Sequence, residues 1–191
     1  MFVNDFVKKT FLGVLGLIIS VGVHGQYFTT NGDASSLGGD CYQLTPDLEN
    51  QQGSIWYSEL IDISRPFDLK FTMNFGTENE SGADGMVFVL QTVGNTALGA
   101  NGSDIGFGGF SPSLGIEFDT YNNSTTTGDI SDDHIAILYD GTTDHNSAYN
   151  IAGHVEASMN FIWPQNIEDE ADHDVRIHWD PTDNNLLEVY F

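Results

Sequence analysis

Glu117, Asp119, Asp129 and His134 are the residues of this chain whose types and spacing could do chemistry. They fall in "LGIEFDTYNNSTTTGDISDDH", residues 114–134. Leu114, Ile116 and Phe118 alternate there with Gly115, Glu117 and Asp119. Successive side chains of a strand point to opposite faces, so this pattern puts Glu117 and Asp119 on one face. Two carboxylates about 4 Å apart repel by roughly 4 kcal/mol at an effective dielectric near 20. Asp129 brought to the same place adds to that repulsion. A divalent cation reverses its sign. Hard oxygen ligands suit Ca²⁺, which takes about 6–8 of them. A histidine beside carboxylates shifts preference toward a transition ion such as Mn²⁺. The segment offers both ligand sets, and a carboxylate can bridge two ions. The plain alternative is a solvated acidic loop whose aspartates only make turns. Spacing alone does not choose between the two, and Asp132 and Asp133 compete with Asp129 as the loop ligand.

Such a site needs elements to position it. No long segment has a 3.6-residue period, and no internal repeat is present. Short alternating or apolar runs recur instead, separated by Gly, Asn, Asp and Ser clusters. The pattern predicts strands at 54–63, 67–76, 85–93, 113–121, 134–140, 151–159, 173–180 and 186–191. Turn signals such as "TENESGADG", "NNSTTTGD" and "DPTDNN" lie between them. This is the sequence signature of an all-β antiparallel sandwich. Only "PQNIEDEAD" (164–172) could hold a helical turn. The connections 94–112 and 122–133 are long for hairpins, and long loops on a rigid sandwich commonly carry binding function.

The first 25 residues read as an export signal. Lys8 and Lys9 precede the apolar run Phe11–Val23, which at 13 residues is shorter than the roughly 20 of a membrane span. Small residues follow in "VHGQYF", which places cleavage after Gly25. The expectation is a secreted or cell-surface domain over 26–191, with no membrane insertion after cleavage; the competing reading is a membrane anchor. Removing Lys8, Lys9 and Asp5 from the 5 basic and 28 acidic residues leaves Arg65, Lys70 and Arg176 against 27 acids. Such a surface repels nucleic acid and anionic lipid. It suits divalent cations and neutral partners, although solubility or a salty habitat also accounts for acidity. Cys41 is the single cysteine; exported chains usually pair theirs. The chain ends on "NNLLEVYF", a strand pattern with no closing turn, and the expectation is a domain whose last strands lie beyond Phe191.

Three ordered motifs together carry a resemblance. "GIEFDTYNN", followed by Asp129 and by "DH" with "AI", resembles the metal-binding stretch of L-type (legume-lectin-like) lectins. "SGADGMVFVLQ" (81–91) resembles the family's Ala-Asp-Gly strand, and "LGANGSDIGFGGFSPS" (98–113) its Gly-rich loop. "CYQLTPDLENQQGSIWY" with "PFDLKFTMNFG" is similar to the opening strands of exported bacterial members. "HDVRIHWDPTDNNLLEVYF" is similar to the later strand pair.

The resemblance implies a concanavalin A-like jelly roll and a metal-dependent, non-catalytic carbohydrate-binding domain whose partner is a glycan or polysaccharide. It implies that Glu117, Asp119, Asp129 and His134 bind Mn²⁺ or a similar ion. Ca²⁺ would be held by Asp119, the Tyr121 carbonyl, Asn123 and Asp129. Five positions separate Asp129 from His134, a spacing seen in the family. The sugar would be gripped by Asp84, the Asn123 side chain and a backbone N–H of the Gly-rich loop, with Tyr121 stacked on it. Rigidly held donors and acceptors limit the entropy lost on binding. The resemblance also implies a cis Ala83–Asp84 peptide and a C-terminal cysteine partner for Cys41 beyond Phe191. One departure stands out. The loop donor is a glycine in the family, but here Ser103 takes that position, with Gly102 beside it.

Two other functions compete. "E-F-D" resembles the Glu-x-Asp core of some β-glucanases on a related sandwich. Retaining hydrolases need two carboxylates about 5–5.5 Å apart. Those enzymes add a second Glu shortly after on the same strand, whereas Thr120, Tyr121, Asn122 and Asn123 follow here. The last alternative is an adhesion or structural module of a larger surface protein, in which the metals only stiffen loops.

Overall fold

The computed structural model describes residues 27–79, 81–131, 133–156 and 166–191. The apolar N-terminal run, the cleavage position after Gly25 and Asp132 lie outside the described residues.

Two antiparallel sheets form the body of the molecule. One has the order β6-β7-β8-β9, from Gly85–Gln91, Ser113–Asp119, His134–Tyr139 and Asn150–Glu156. The other has the order β11-β10-β5, from Leu186–Tyr190, His173–Asp180 and Phe67–Met73. Two small ribbons complete the described structure. β1 (Phe28–Gly32) pairs with β4 (Gly53–Tyr57), and β2 (Ser35–Gly38) pairs with β3 (Cys41–Gln43).

Alternation decides how the sheets meet. In β5, Phe67, Leu69, Phe71 and Met73 fall on one face, and the register sets them opposite Trp179, Ile177, Val175 and His173 of β10. In β7, Ile116 and Phe118 supply the facing layer, joined by Phe88, Ile135 and Ile137. These side chains form one cluster with Val175 and Ile177, closed at one end by Phe75 and Phe191. Burying each such side chain contributes roughly 1.5–3 kcal/mol, so this interlayer is the main apolar seam.

A second cluster lies on the opposite face of β6–β8. Phe107 and Phe110 of the Gly-rich loop pack there with Ala97, Ala136 and Leu138, against Val87, Val89 and Trp56. Gly115 makes this possible. A Cβ at that position would lie 2.8 Å from the Phe107 ring. The Gly-rich loop is therefore seated on the same face of β7 that carries Glu117 and Asp119.

The predicted strands are present; 173–180 matches β10 as it stands, most of the others stop earlier than predicted, and positions 157–159 of the run 151–159 lie outside the described residues. β4 stops at Tyr57, not at 63, because beyond it there is little to bury: Leu60 is 98% exposed and Ile63 59%. Asp62 instead accepts the Ser64 N–H at 3.0 Å in a local turn. β6 stops at Gln91, whose side chain bonds both the N–H and the carbonyl of Gly94. β7 stops at Asp119, whose Oδ1 accepts the Tyr121 N–H at 2.7 Å. The helical turn expected over 164–172 is not formed across the described part, 166–172. Side-chain turns take its place, with Asn166 accepting from the Glu168 N–H and Asp169 from the Ala171 N–H. The short strands β1 and β2 carry no periodic signal long enough to single them out.

Candidate functional site

β7 and β8 bring the first ligands together. Asp119 is register partner of His134, and Glu117 of Ala136, so Glu117, Asp119 and His134 share one face. All three are almost fully enclosed, with Glu117 at 0% and His134 at 1% exposure. The loop after β7 adds Asp129. It curls because the Asn123 carbonyl accepts from the N–H and hydroxyl groups of both Thr126 and Thr127. Asp129 is then clamped from two sides, with Thr127 Oγ1 donating to Oδ1 and the Asn123 N–H donating to Oδ2, each at 2.5 Å. Ligand atoms of Asp119, Asp129 and His134 lie within 4.8 Å of one another.

Asp133 faces another way. Its Oδ2 accepts the Ile167 N–H at 2.6 Å, tying the 166–168 segment to the start of β8. Of the described loop aspartates, Asp129 is the one that meets Asp119 and His134.

A residue outside the expected set joins them. Ligand atoms of Glu117, His134 and His145 also cluster within 4.8 Å. His145 Nε2 lies 3.3 Å from Glu117 Oε2, 3.3 Å from Asp129 Oδ1 and 3.0 Å from His134 Nε2. Its backbone N–H donates to the Thr127 carbonyl at 2.8 Å, which pins the β8–β9 connection against the Asp129 loop. Gly128 permits that approach: it has φ +81°, and a Cβ there would lie 2.2 Å from the Asn146 amide. In the sequence, His145 is one histidine in a polar turn, "TTDHNS". Only its return to the Asp129 loop marks it.

The electrostatics are those of carboxylates crowded out of water. Burial, then Asp119 and Asp129, push the Glu117 carboxyl up to about 9. Burial likewise pushes Asp119 up to about 8, with Asp129, Asp84 and Asp133 adding to it and the Tyr121 N–H opposing it. Burial also acts upward on Asp129, but the donors His145, Thr127 and Asn123 together outweigh it and hold its carboxyl below the usual range. Neither Glu117 oxygen accepts a hydrogen bond among the described residues. A buried carboxylate without a hydrogen-bond donor is costly unless a cation meets it. The donor set of acidic oxygens and imidazole nitrogens therefore fits a divalent ion. Nearby, burial and then Asp133 push Glu168 up to about 7.

Asp84 and Asn123 meet at the rim. The Asn123 amide nitrogen donates to Asp84 Oδ1 at 3.2 Å. The Ala83–Asp84 peptide is cis, and the Asp84 carbonyl accepts the Thr120 N–H at 3.0 Å. Asp84 is half-buried, and Tyr121, two residues before Asn123 on the loop, is 42% exposed. Gly102 and Ser103 begin a 3-10 turn, Gly102–Asp104. Among the described residues no direct hydrogen bond joins that turn to Asp84 or Asn123. The structure thus brings Asp84 and Asn123 together.

Comparison with known proteins gives a consistent result. A family model described as the legume lectin β-barrel domain matches residues 23–191. The basic winged bean lectin, solved with Tn-antigen, is 16% identical, covers 87% of this chain and 74% of its own, and superposes with a TM-score of 0.63. The Bauhinia forficata lectin in complex with GalNAc is 16% identical over 88% of this chain and 78% of its own, with a TM-score of 0.62. Lectin I-B4 of Griffonia simplicifolia, in a metal-free form, is 18% identical over 89% and 79%, with a TM-score of 0.60. At these identities the likeness is one of fold.

Proposed function

We propose that this chain, which belongs to the legume lectin β-barrel domain family, binds glycans through a site ordered by two metal ions. The family is one of lectins, and the hydrolase alternative has no support from it. Glu117, Asp119, Asp129 and His134 would hold a transition ion such as Mn²⁺. Asp119, the Tyr121 carbonyl, Asn123 and Asp129 would hold Ca²⁺. When bound, the ions supply positive charge that neutralises the carboxylates and fixes the loop 120–129.

The chain's own groups do the recognition. Asp84 accepts hydrogen bonds from sugar hydroxyls, and the Asn123 amide donates to one. Tyr121 offers an exposed ring to the sugar's apolar face, and the loop of Gly102 and Ser103 offers a backbone N–H. Rigid donors and acceptors are what hydroxyl recognition needs, since each unpaired polar group at a closed surface costs affinity. The observation that carries this reading is the Asn123–Asp84 hydrogen bond, 3.2 Å, beside the ligand group Asp119, Asp129 and His134. The winged bean and Bauhinia lectins, bound to Tn-antigen and GalNAc, give the reading its ligand class.

Lys8, Lys9 and the apolar run Phe11–Val23 support export with cleavage after Gly25, and so a secreted or cell-surface location. The decisive experiment is a glycan array probed with metal-loaded protein. Binding should vanish with chelator, and also with Asp84→Ala while ion binding persists. An array that stays silent for the loaded wild-type chain counts against sugar binding and favours a structural role.

A further inference from the structure

We infer that His145 is a direct ligand of the transition ion, which makes the site a two-imidazole, three-carboxylate centre that selects a later first-row ion such as Zn²⁺ over Mn²⁺. The inference rests on the metal-site reading above and extends it, because His145 is outside the ligand set that the motif implies.

The geometry carries it. His145 Nε2 stands 3.0 Å from His134 Nε2 and 3.3 Å from both Glu117 Oε2 and Asp129 Oδ1. Two ligands each about 2.0–2.1 Å from a zinc-sized ion, at angles between octahedral and tetrahedral, lie roughly 2.9–3.4 Å apart. The three separations at His145 fall in that interval. The two imidazole rings meet edge to face, 4.9 Å between centroids and 69° between planes, with their Nε2 atoms 3.0 Å apart. Glu117 is fully buried and neither of its oxygens accepts a hydrogen bond, although His145 is close by. That is the environment of a carboxylate whose partner is an ion.

His145 is also held in place by contacts that do not involve the site. Its N–H donates to the Thr127 carbonyl at 2.8 Å, and its own carbonyl accepts from the Asn150 amide at 3.0 Å. A ring positioned this way is preorganised for coordination and needs no loop movement to reach the ion. The second imidazole then sets selectivity. Carboxylate-rich sites suit Mn²⁺, imidazole favours Zn²⁺ and its neighbours, and intrinsic affinity also rises along the series from Mn²⁺ toward Cu²⁺.

The test strips the full chain with chelator and reloads it with Zn²⁺ or Mn²⁺, followed by titration calorimetry and X-ray absorption at the zinc edge. Wild-type protein should show two imidazoles in the zinc shell and His145→Gln one. Loss of even an outer-shell partner weakens metal sites by about 10–100-fold, so His145→Gln should lower Zn²⁺ affinity at least about tenfold, and by more than it lowers Mn²⁺ affinity, so that the Zn²⁺:Mn²⁺ ratio falls. A single imidazole in wild-type protein overturns the inference, and so does an unchanged ratio in the variant. If Glu117→Gln abolishes zinc binding in that case, the four-ligand reading survives without His145. If wild-type protein takes up neither ion, the metal-site reading fails and this inference with it. The wild-type spectrum decides even if the variant does not fold.

Discussion

Glu117 is the residue at which the physical conflict is greatest. It is fully buried, its oxygens accept no hydrogen bond among the described residues, and its carboxyl is pushed up to about 9. Asp119 is pushed the same way, to about 8. In metal-stripped protein the folded state therefore binds more protons than the unfolded chain from about pH 4 up to pH 8–9. Stability in that window falls as pH rises. Stripped protein should melt several degrees lower at pH 8 than at pH 5.5, because about 1 kcal/mol moves the midpoint of a domain this size by roughly 2–4 °C. Loaded protein should behave oppositely, since ion binding requires the deprotonated ligands and weakens as pH falls. Glu117→Gln, a neutral isostere, should make the stripped profile less steep, with Asp119 supplying the remaining slope, and abolish binding of the transition ion. Thermal melts with and without chelator across this pH range check all three. A stripped wild-type protein more stable at pH 8 than at pH 5.5 would show the carboxylates to be ionised and otherwise compensated.

At the scale of elements, β7 serves two layers at once. Ile116 and Phe118 close the interlayer core, while Gly115, Glu117 and Asp119 form the other face. Gly115 is as necessary to that face as the carboxylates, because Phe107 lies where its Cβ would be. Gly115→Ala overpacks this contact, at a cost of roughly 1–3 kcal/mol. The expected result is a melting midpoint lower by about 3–10 °C, with ion titrations unchanged. Glycan binding should weaken while ion binding holds, because the displaced element is the Gly-rich loop. Equal loss of both would place the loop's role in metal retention. The two loops that reach Asp129 and His145 depend on each other in the same way, through the Thr127 carbonyl and the close approach at Gly128.

For the whole molecule, charge is the dominant property. The chain carries a formal net charge of −23. Like charges spread over a compact surface repel, and salt screens them over a Debye length that falls from about 30 Å at 0.01 M to about 3 Å at 1 M. At saturating Ca²⁺ the melting midpoint should rise between about 0.01 M and 0.5 M NaCl. A midpoint that falls over that range would mean that attractive ion pairs outweigh the repulsion. The ion pairs among the described residues make that outcome hard to reach: the two that involve arginine, Arg65–Asp62 and Arg176–Asp68, are on the surface.

The sequence by itself determined the class of fold, because strand alternation is local and reads directly from neighbours such as Ile116, Glu117 and Phe118. It also marked the carboxylate pair of β7, since positions two apart on a strand must share a face. Strand ends were less legible: Asp119, Gln91 and Asp62 stop or replace strands through side-chain turns whose competition with pairing depends on what is left to bury. Residue chemistry alone left two decisions to the tertiary structure, although the motif resemblance already favoured Asp129 in the first. One was that Asp129, not Asp133, meets Asp119 and His134, because the Ile167 N–H draws Asp133 away. The other was His145, whose turn is unremarkable until the β8–β9 connection folds back on Thr127 and sets its ring 3.0 Å from that of His134. Ligands contributed by separate loops are fixed by packing between elements, and no spacing along the chain encodes that.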